Sequence, residues 1–558
     1  MADRAAAWGV KRKYVGYRGD VVTPPESTIE DIVHAMAGKR MRRPKPPSLP
    51  SPHGGEVNKC ADPPKRAWGW GVQVYAIRSR DSWGIGDLAD LRRMGRWARD
   101  SGASVLLISP LGAQAPTPHQ EPCPYYSSSR RFRNTLYLHV EEIPGAERCA
   151  AALAPLRDAA HALNEKRLID HDAAFHLKVQ ALEHIFRAAP EPRGLAGWVK
   201  GRGRALRDFA TFNAIQEVHG PAWRSWPTSL RRPRSTEVEQ MRRQLADRVA
   251  FHEWTQFHLN QQLAKAGAEI ALIADVPVGF ASDGFDAWRW QDLLAPGMRV
   301  GAPPDHFFPD GQDWGMPAFD PWKLAAANFE PYVEALRSAS DHAGGLRLDH
   351  VMSLFRLFWI PEGATASEGA YVLYPSQSMM EILASESTRA GAFVIGEDLG
   401  LVEPSVRKAM RRRHALGYRL MWFEDLPAER WPRDSVAAIG THDLPTVAGI
   451  WTLREPDHRH HHLRGRLVDV TGLPDGADPV DVAVAAYAKL ATARSRIALA
   501  SLEDALGVEE RPNVPGTTSE WPNWRLALPQ PLEEIERAAG PRRIADAMAA
   551  ARRSDKRR

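Results

Sequence analysis

The chain has 558 residues, a formal net charge of +5 at pH 7, 44% hydrophobic residues and 25% charged residues. This is the composition of a globular protein with room for more than one domain. No run of about 18 apolar residues is present, so we expect no transmembrane helix and no membrane partner. The N-terminus lacks the apolar core of a secretory signal. Cys60, Cys123 and Cys149 show neither a disulfide framework nor metal-ligand spacing, so we expect a cytoplasmic protein.

The basic residues are concentrated in two runs, at 39–45 and at 552–558. Runs of this kind can bind nucleic acid. A solvated linker and a solvated chain end are the commoner meaning of such runs. We therefore expect no nucleic-acid partner.

A small unit is predicted at the N-terminus. Residues 28–36 have the pattern of an amphipathic helix, with Ser27 or Thr28 as the predicted N-cap. A segment rich in proline, glycine and basic residues follows, and regular structure resumes at Trp68. The predicted units are a small N-terminal unit at 1–38, a basic linker at 39–66, a main domain at 67–540 with a helical subdomain inserted at about 140–265, and a basic C-terminal tail at 541–558.

The main domain opens with a strand, a helix and a second strand. The runs 72–75 and 105–108 are strand-like, and between them a helix begins at Asp87 and continues to about Ser101. Strand, helix and strand with short connections form a βαβ unit. The mainly helical stretch at about 156–265 is too long for one crossover helix, so we interpret it as an inserted subdomain.

Four later apolar runs lead into acidic residues. They lead into Asp275, Asp349, Glu397 and Asp443, and we number them strands three, four, five and seven. A (β/α)₈ barrel builds its active site from side chains at the C-terminal ends of its strands. The sequence therefore predicts an α/β fold, a (β/α)₈ TIM barrel with helical insertions and a short N-terminal extension.

The remaining strands and one long loop complete this prediction. Residues 418–422 are the predicted sixth strand, the seventh ends near Thr441, and the eighth lies before Asn513. Residues 301–320 are predicted to be a long irregular loop, and long loops on this face of a barrel are usually functional.

The acids suit the chemistry of a retaining glycosidase. That chemistry needs one carboxylate as nucleophile and one carboxylic acid as proton donor. Asp349 shares a strand face with Arg347, whose charge keeps a carboxylate ionised, as a nucleophile requires. Glu397 is the predicted donor, and Asp398 beside it helps to raise its pKa. Asp443 is predicted to stabilise positive charge in the transition state.

Two other interpretations of these residues stay open at this point. Acids after barrel strands also serve as helix caps, although all four acids together are poorly explained in that way. Barrels with acids at the strand ends also perform two-metal hydrolysis. The histidine ligands for it are scarce, because His458 and His460–His462 lie in a polar, loop-like stretch.

The strand ends and their flanking residues resemble the signature regions of the α-amylase clan. Within that clan, the order of the motifs is similar to that of one family, the 4-α-glucanotransferases, or amylomaltases, of glycoside hydrolase family 77. The likeness runs from about Trp8 to Leu528. It is carried by 275–278, 346–350, 396–400 and 441–446, and supported by 82–88, 124–127, 301–305, 311–315 and 513–517.

The resemblance implies a role for individual residues and implies no metal and no organic cofactor. Two features have no match in the family pattern, namely Arg130 with Arg131 and the basic linker. The implied catalytic residues are Asp349 as nucleophile, Glu397 as acid/base and Asp443 as transition-state stabiliser. The implied substrate-binding residues are Tyr125, Asp275, Gln312, Trp314, Arg347, His350, His442 and Asn513.

The implied activity is transfer of an α-1,4-glucan segment to the 4-hydroxyl of an acceptor. Malto-oligosaccharides and starch- or glycogen-type glucans are the expected substrates, with glucose among the acceptors. An α-glucan hydrolase and an inactive glucan-binding barrel are the alternatives. A retaining mechanism predicts that the carboxyl groups of Asp349 and Glu397 lie about 5 to 5.5 Å apart. The 301–320 loop is expected to favour transfer over hydrolysis by excluding water.

Overall fold

Eight parallel strands form the centre of the computed structural model, which describes residues 2–37, 57–305, 308–454 and 458–553. The strands are β1 (Ala67–Val72), β2 (Val105–Ile108), β3 (Ala271–Val276), β4 (Gly345–Leu348), β5 (Phe393–Gly396), β6 (Gly417–Leu420), β7 (Ser435–Ala438) and β8 (Ile497–Ser501). Their order in the sheet is β5-β4-β3-β2-β1-β8-β7-β6. The sheet closes between β5 and β6, where the Gly396 N–H donates to Leu416 O at 2.8 Å and the Leu416 N–H donates to Val394 O at 2.9 Å.

This architecture confirms the predicted (β/α)₈ barrel, although the prediction for the first strand is wrong. The strand is Ala67–Val72, whereas Val74–Ala76 is a 3₁₀ turn. The glycines of the Ala-Trp-Gly-Trp-Gly-Val run hid the strand from sequence analysis. Gly69 is required by packing, because a Cβ there would lie 1.9 Å from the Val105 carbonyl oxygen of β2. The predicted second strand at 105–108 is confirmed, and β6 ends at Leu420 rather than at 422.

The predicted irregular loop at 301–320 is instead mostly a β-hairpin. Leu294–Ala302 and Gln312–Phe319 are antiparallel, and Arg356–Pro361 and Ala370–Leu373 extend them to a four-stranded sheet. Between the two strands, residues 303–305 and 308–311 keep the irregular backbone that the prolines and glycines indicated. Met316 and Ala318 are buried, so strand pairing and packing together fix this segment.

The inserted segment between β2 and β3 is helical, as expected, and a buried charge cluster fastens it to the barrel. Asp87 caps helix Leu88–Asp100 by accepting from the Ala89 N–H at 2.9 Å. Lys178, from helix His171–Ala188, lies 3.6 Å from the same carboxylate, and His139 lies 3.0 Å from it. All three partners are largely shielded from water, so each charge depends on the others.

The two ends of the chain differ from their predictions. The N-terminal helix is Glu26–Ala37 and begins before Ser27, so neither predicted cap residue lies at its start. Residues 541–553 belong to helix Ala539–Arg553, so the predicted tail is wrong over that range. Arg552 donates to Ser495 O at 2.8 Å and to Ala67 O at 3.1 Å, which anchors this helix to the barrel strands.

Residues 39–56 of the predicted linker and 554–558 of the predicted tail lie outside the described residues. The division of the chain at 38, 66 and 540 stays a prediction. The histidine-rich stretch was predicted to be loop-like, but it belongs to helix His458–Thr471. Among the described residues, no helix has both the length and the apolar character needed to cross a membrane.

The other elements surround the barrel. The remaining strands are Tyr14–Val15, Val21–Val22, Gly112–Ala113 and Ser129–Arg133. The remaining helices are Ala2–Ala7, Ala150–Ala162, Leu195–His219, Thr236–Gln244, Ala246–Gly267, Phe285–Arg289, Pro321–Ala326, Glu330–Ser340, Ser376–Ala390, Pro404–Arg412, Val447–Trp451, Pro479–Leu490, Leu502–Ala505 and Leu532–Ile535.

Candidate active site

The C-terminal ends of the barrel strands open into a cleft with an empty volume of ≈ 3230 Å³. Asp349 and Glu397 directly follow β4 and β5, and Asp443 lies in the connection after β7. Nine of the eleven predicted site residues line this cleft, and the other two, Asp275 and Arg347, lie beneath it. The barrel therefore gathers side chains that are up to 388 positions apart in sequence, from Tyr125 to Asn513.

A buried ion pair forms the floor of the cleft. The Arg347 Nη1 donates to both carboxylate oxygens of Asp275, at 2.7 and 2.6 Å, and lies 3.0 Å from Asp349 Oδ1. The Tyr125 hydroxyl donates to Asp275 Oδ2 at 2.6 Å. Asp275 and Arg347 are both buried, so Asp275 orients Arg347 and Tyr125 rather than facing the cleft itself.

Asp349 has a higher pKa than the sequence suggested. Burial raises the pKa of this carboxyl to about 6, and the negative charges of Asp275 and Glu397 act in the same direction. Arg347 lowers the pKa, as predicted, but does not fully compensate for burial. Asp349 is therefore ionised at neutral pH and titrates in the mildly acidic range.

Glu397 is held by backbone N–H groups from two sides. Its Oε2 accepts from the His350 N–H at 3.0 Å, and its Oε1 accepts from the Leu399 N–H at 2.6 Å. Burial raises the pKa of Glu397, and the charge of Asp398 adds to this effect, as predicted. A carboxyl group fixed in position and biased toward its protonated form suits a proton donor.

The pKa of Asp443 is shifted in the opposite direction from that of Glu397. Its Oδ1 accepts from Asn513 Nδ2 at 2.6 Å, and its Oδ2 lies 3.3 Å from His442 Nε2. Burial alone would raise the pKa of Asp443, but His442 and Asn513 outweigh it and lower the pKa. Burial likewise opposes the charge of His442, yet the Asp443 carboxylate raises the pKa of His442. The pair is thus stabilised in its ionised form.

Three comparisons with known proteins bear on this geometry. A family model described as 4-alpha-glucanotransferase matches residues 72–532. This chain belongs to the 4-alpha-glucanotransferase family. Its sequence is 40% identical over 520 residues to a 4-alpha-glucanotransferase of Mycobacterium tuberculosis, covering 84% of this chain and 72% of the relative. It is 30% identical over 512 residues to one of Thermus thermophilus, covering 86% and 98%.

The fold agrees with the family. The crystal structure of amylomaltase from Corynebacterium glutamicum superposes with a TM-score of 0.85 and 24% sequence identity, covering 98% of this chain and 99% of that chain. The predicted family resemblance and the predicted barrel are therefore both confirmed.

One wall of the glucanotransferase cleft is aromatic, and sequence analysis missed its central residue. Trp524 packs against Tyr125 and His442, with ring centroids 5.3 and 5.1 Å away, and Tyr125 lies 5.1 Å from His442. The cluster thereby connects Tyr125, which donates to Asp275 in the buried ion pair, with His442, which lies beside Asp443. The available signal was the Trp521-Pro-Asn-Trp524 run shortly after the Asn513 motif.

The hairpin forms another part of the cleft wall. Trp314 Nε1 donates to Gln312 Oε1 at 3.2 Å, and the Trp314 ring packs edge-on against His350 at 5.4 Å. Burial lowers the pKa of His350 to about 4, so its imidazole is neutral at pH 7. Trp314 is partly exposed, which leaves part of its ring to the cleft.

Asp398 lies outside the cleft. It accepts from the Tyr418 N–H at 2.6 Å and from Arg407 Nε at 2.9 Å, which ties β5 to β6. Among the described residues, no group of three or more His, Cys, Asp and Glu side chains has the arrangement of a metal site.

Proposed function

We propose that this 4-alpha-glucanotransferase moves α-1,4-glucan segments by a retaining double displacement in which Asp349 is the nucleophile and Glu397 the acid/base. The observation that supports it is the pair of carboxyl groups at the ends of the adjacent strands β4 and β5, both lining one cleft. The family supports the transfer of glucans, and the assignment of residues to steps is our proposal.

The first step cleaves the donor. The Asp349 carboxylate attacks the anomeric carbon, and the bond from that carbon to the glycosidic oxygen breaks. Glu397 gives its proton to the departing oxygen, which becomes the free 4-hydroxyl of the released segment. The products are a glycosyl ester on Asp349 and an ionised Glu397.

The second step reverses the roles. The Glu397 carboxylate takes the proton of the acceptor 4-hydroxyl, whose oxygen attacks the anomeric carbon and displaces Asp349. Glu397 is protonated again and Asp349 is again a carboxylate, so the cycle closes without an external reagent. In both steps, the ionised Asp443 stabilises positive charge on the sugar ring.

The acceptor competes with water for the glycosyl ester. Water is present at about 55 M, whereas a well-oriented bound group can reach an effective molarity of about 10⁵ M or more. Gln312 and Trp314 on the hairpin offer an amide and a flat apolar face for the acceptor sugar. We infer that this wall favours the acceptor hydroxyl over water.

The proposed substrates follow from the shape of the cleft. An open volume of ≈ 3230 Å³ accommodates a chain of several glucose units. We propose malto-oligosaccharides and starch- or glycogen-type glucans as donors, with glucose among the acceptors and no nucleic-acid partner. The three cysteines are unpaired, which fits a reducing compartment such as the cytoplasm.

Glu397→Gln tests the assignment. With maltotriose, whose leaving oxygen needs a proton, the variant should lose at least about 10² of its turnover, the lower range for general acid catalysis. With α-glucosyl fluoride, which needs no proton, formation of the glycosyl ester should continue. Glu403→Gln is the matched control, because Glu403 pairs with Arg356 at 3.0 Å outside the cleft. Equal losses on both donors would contradict the proton-donor role.

A further inference from the structure

A second cavity lies on the flank of the barrel and shares no lining residue with the catalytic cleft. Its empty volume is ≈ 1020 Å³. Strand Ser129–Arg133, the first turns of helix Leu195–His219 and helix Glu330–Ser340 surround it. A pocket of this size accommodates a small organic ligand.

The lining of this flank pocket is strongly basic. Five arginines face two acids, Glu334 and Asp341. Both acids are already neutralised, Glu334 by Arg289 at 2.8 Å and Asp341 by Arg202 at 2.8 Å. Arg337 and Arg389 share one further acid, Glu386, at 2.7 and 2.5 Å, so the arginines still outnumber the acids and the pocket carries an excess of positive charge. The five arginines are Arg131, Arg133, Arg202, Arg337 and Arg389.

Arg133 provides the uncompensated charge. Its guanidinium donates to the Ser338 hydroxyl at 2.6 Å and to the Ser338 carbonyl oxygen, and both are neutral acceptors. Within the described part of the chain, no carboxylate lies at ion-pair distance from it. Burial lowers the pKa of Arg133 to about 10, which leaves the group charged at pH 7. A half-buried cation without a counterion gains much from an anionic ligand.

Trp198 adds a second unused donor on the same pocket. Its Nε1 is buried and has no hydrogen-bond partner among the described residues. Arg202 lies over its ring at 5.2 Å. Gly203 has φ 65° and ψ −146°, which breaks the helix and separates the turns that carry Trp198 and Arg202 from the rest of it. Because a Cβ at Gly203 would meet nothing within 4 Å, the backbone angle and not space requires glycine there.

We propose that the flank pocket binds a small phosphorylated molecule, with its phosphate on Arg133 and Arg202 and its organic part against Trp198. Guanidinium groups bind phosphate through paired, charge-assisted hydrogen bonds. The Trp198 N–H then finds an acceptor on the ligand, and the flat ring offers a face for an apolar or ring-shaped group. This site is independent of glucan transfer in the catalytic cleft.

Calorimetric titration with two probes tests the proposal. Pyrophosphate supplies the charge alone, and phenyl phosphate supplies a phosphate with a ring but does not mimic glucose. A titration with chloride at the same ionic strength is the control for both probes. Saturable binding with one site per chain is expected for both, and tighter binding of phenyl phosphate supports the role of Trp198. Absence of saturable binding for both probes would overturn the proposal.

Three variants locate the site. Arg133→Gln should weaken binding of both probes at least tenfold, and Trp198→Phe, which keeps a ring but removes the N–H, should weaken it about threefold. Arg243→Gln is the control, because Arg243 is 73% exposed and does not line the pocket, and it should bind as the parent protein does. If Arg133→Gln does not fold, Trp198→Phe and Arg202→Gln, which removes the second proposed phosphate ligand, decide. Unchanged binding in the folded pocket variants would place the ligand elsewhere and refute the site.

Discussion

The contact between Asn513 and Asp443 offers the sharpest test of the electrostatic design of the cleft. Asn513 Nδ2 donates to Asp443 Oδ1 at 2.6 Å. A hydrogen bond to a charged group contributes about 1.5–3 kcal/mol. The Asp443 side chain is 40% exposed, so water partly replaces the lost donor and the lower end of this range applies. Asn513→Ala should therefore lower kcat/KM about tenfold if Asp443 stabilises the transition state.

Asn513→Asp separates the hydrogen bond from simple packing. Two carboxylates at this distance repel each other, so the pair binds a proton at a higher pH than an isolated carboxyl group does. When the introduced carboxyl group is protonated, it donates to Asp443 as the amide did, whereas its ionised form repels Asp443. The activity of Asn513→Asp relative to Asn513→Ala should therefore rise as the pH falls.

Initial rates of maltotriose disproportionation, followed by chromatography of the products, measure both effects. Using the ratio of the two variants at each pH removes the titration of Asp349, which both share. The thermal midpoint shows whether the segment that carries Asn513 remains folded. Parent-like activity of a folded Asn513→Ala variant, or a ratio that does not change with pH, would refute this account of Asp443.

Three further expectations follow from the structure. Asp349 must be ionised to act, and burial raises its pKa to about 6, so kcat/KM should fall about tenfold per pH unit below about pH 6; a flat profile down to pH 4 would argue against this. Trp314→Ala should raise the ratio of hydrolysed to transferred ends from maltotriose; an unchanged ratio with lower total activity would make Trp314 purely structural. Lys178→Met leaves the buried Asp87 carboxylate without its ammonium partner and should cost about 3–5 kcal/mol of stability in chemical unfolding. Lys265→Met, whose side chain is 52% exposed, should cost less than about 1 kcal/mol, and equal effects would contradict the argument.

The positions of the strand-end carboxylates were predictable because their signal is local. Short apolar runs before Asp275, Asp349 and Glu397 indicate buried strands, and a barrel converts strand ends into neighbours. The pKa of Asp349 was not predictable, because it depends on burial and on charges from other strands. Arg347, two residues before Asp349 in sequence, indicated only the charge that lowers this pKa.

The errors in predicting the fold have the same origin. Gly69 and Gly71 weakened the signal of β1, yet close approach of the β2 backbone requires glycine at Gly69. The hairpin wall was hidden because one of its strands, Leu294–Ala302, also pairs with Arg356–Pro361, far along the chain. In both cases, the deciding contact is with residues distant in sequence, which propensity and periodicity do not register.

The segment from 511 to 525 shows how a local turn can determine contacts at two places in the cleft. The Asn523 side chain accepts from the Val514 N–H at 2.8 Å and donates to Thr517 O at 3.0 Å, which closes the turn on itself. The Trp524 N–H donates to Pro512 O at 3.0 Å, which helps to hold Trp524 at φ 59° despite the cost of that conformation. The same turn thereby sets Asn513 on Asp443 and the Trp524 ring against the aromatic wall. One compact connection thus helps to fix both the charge of Asp443 and the position of the rings beside it.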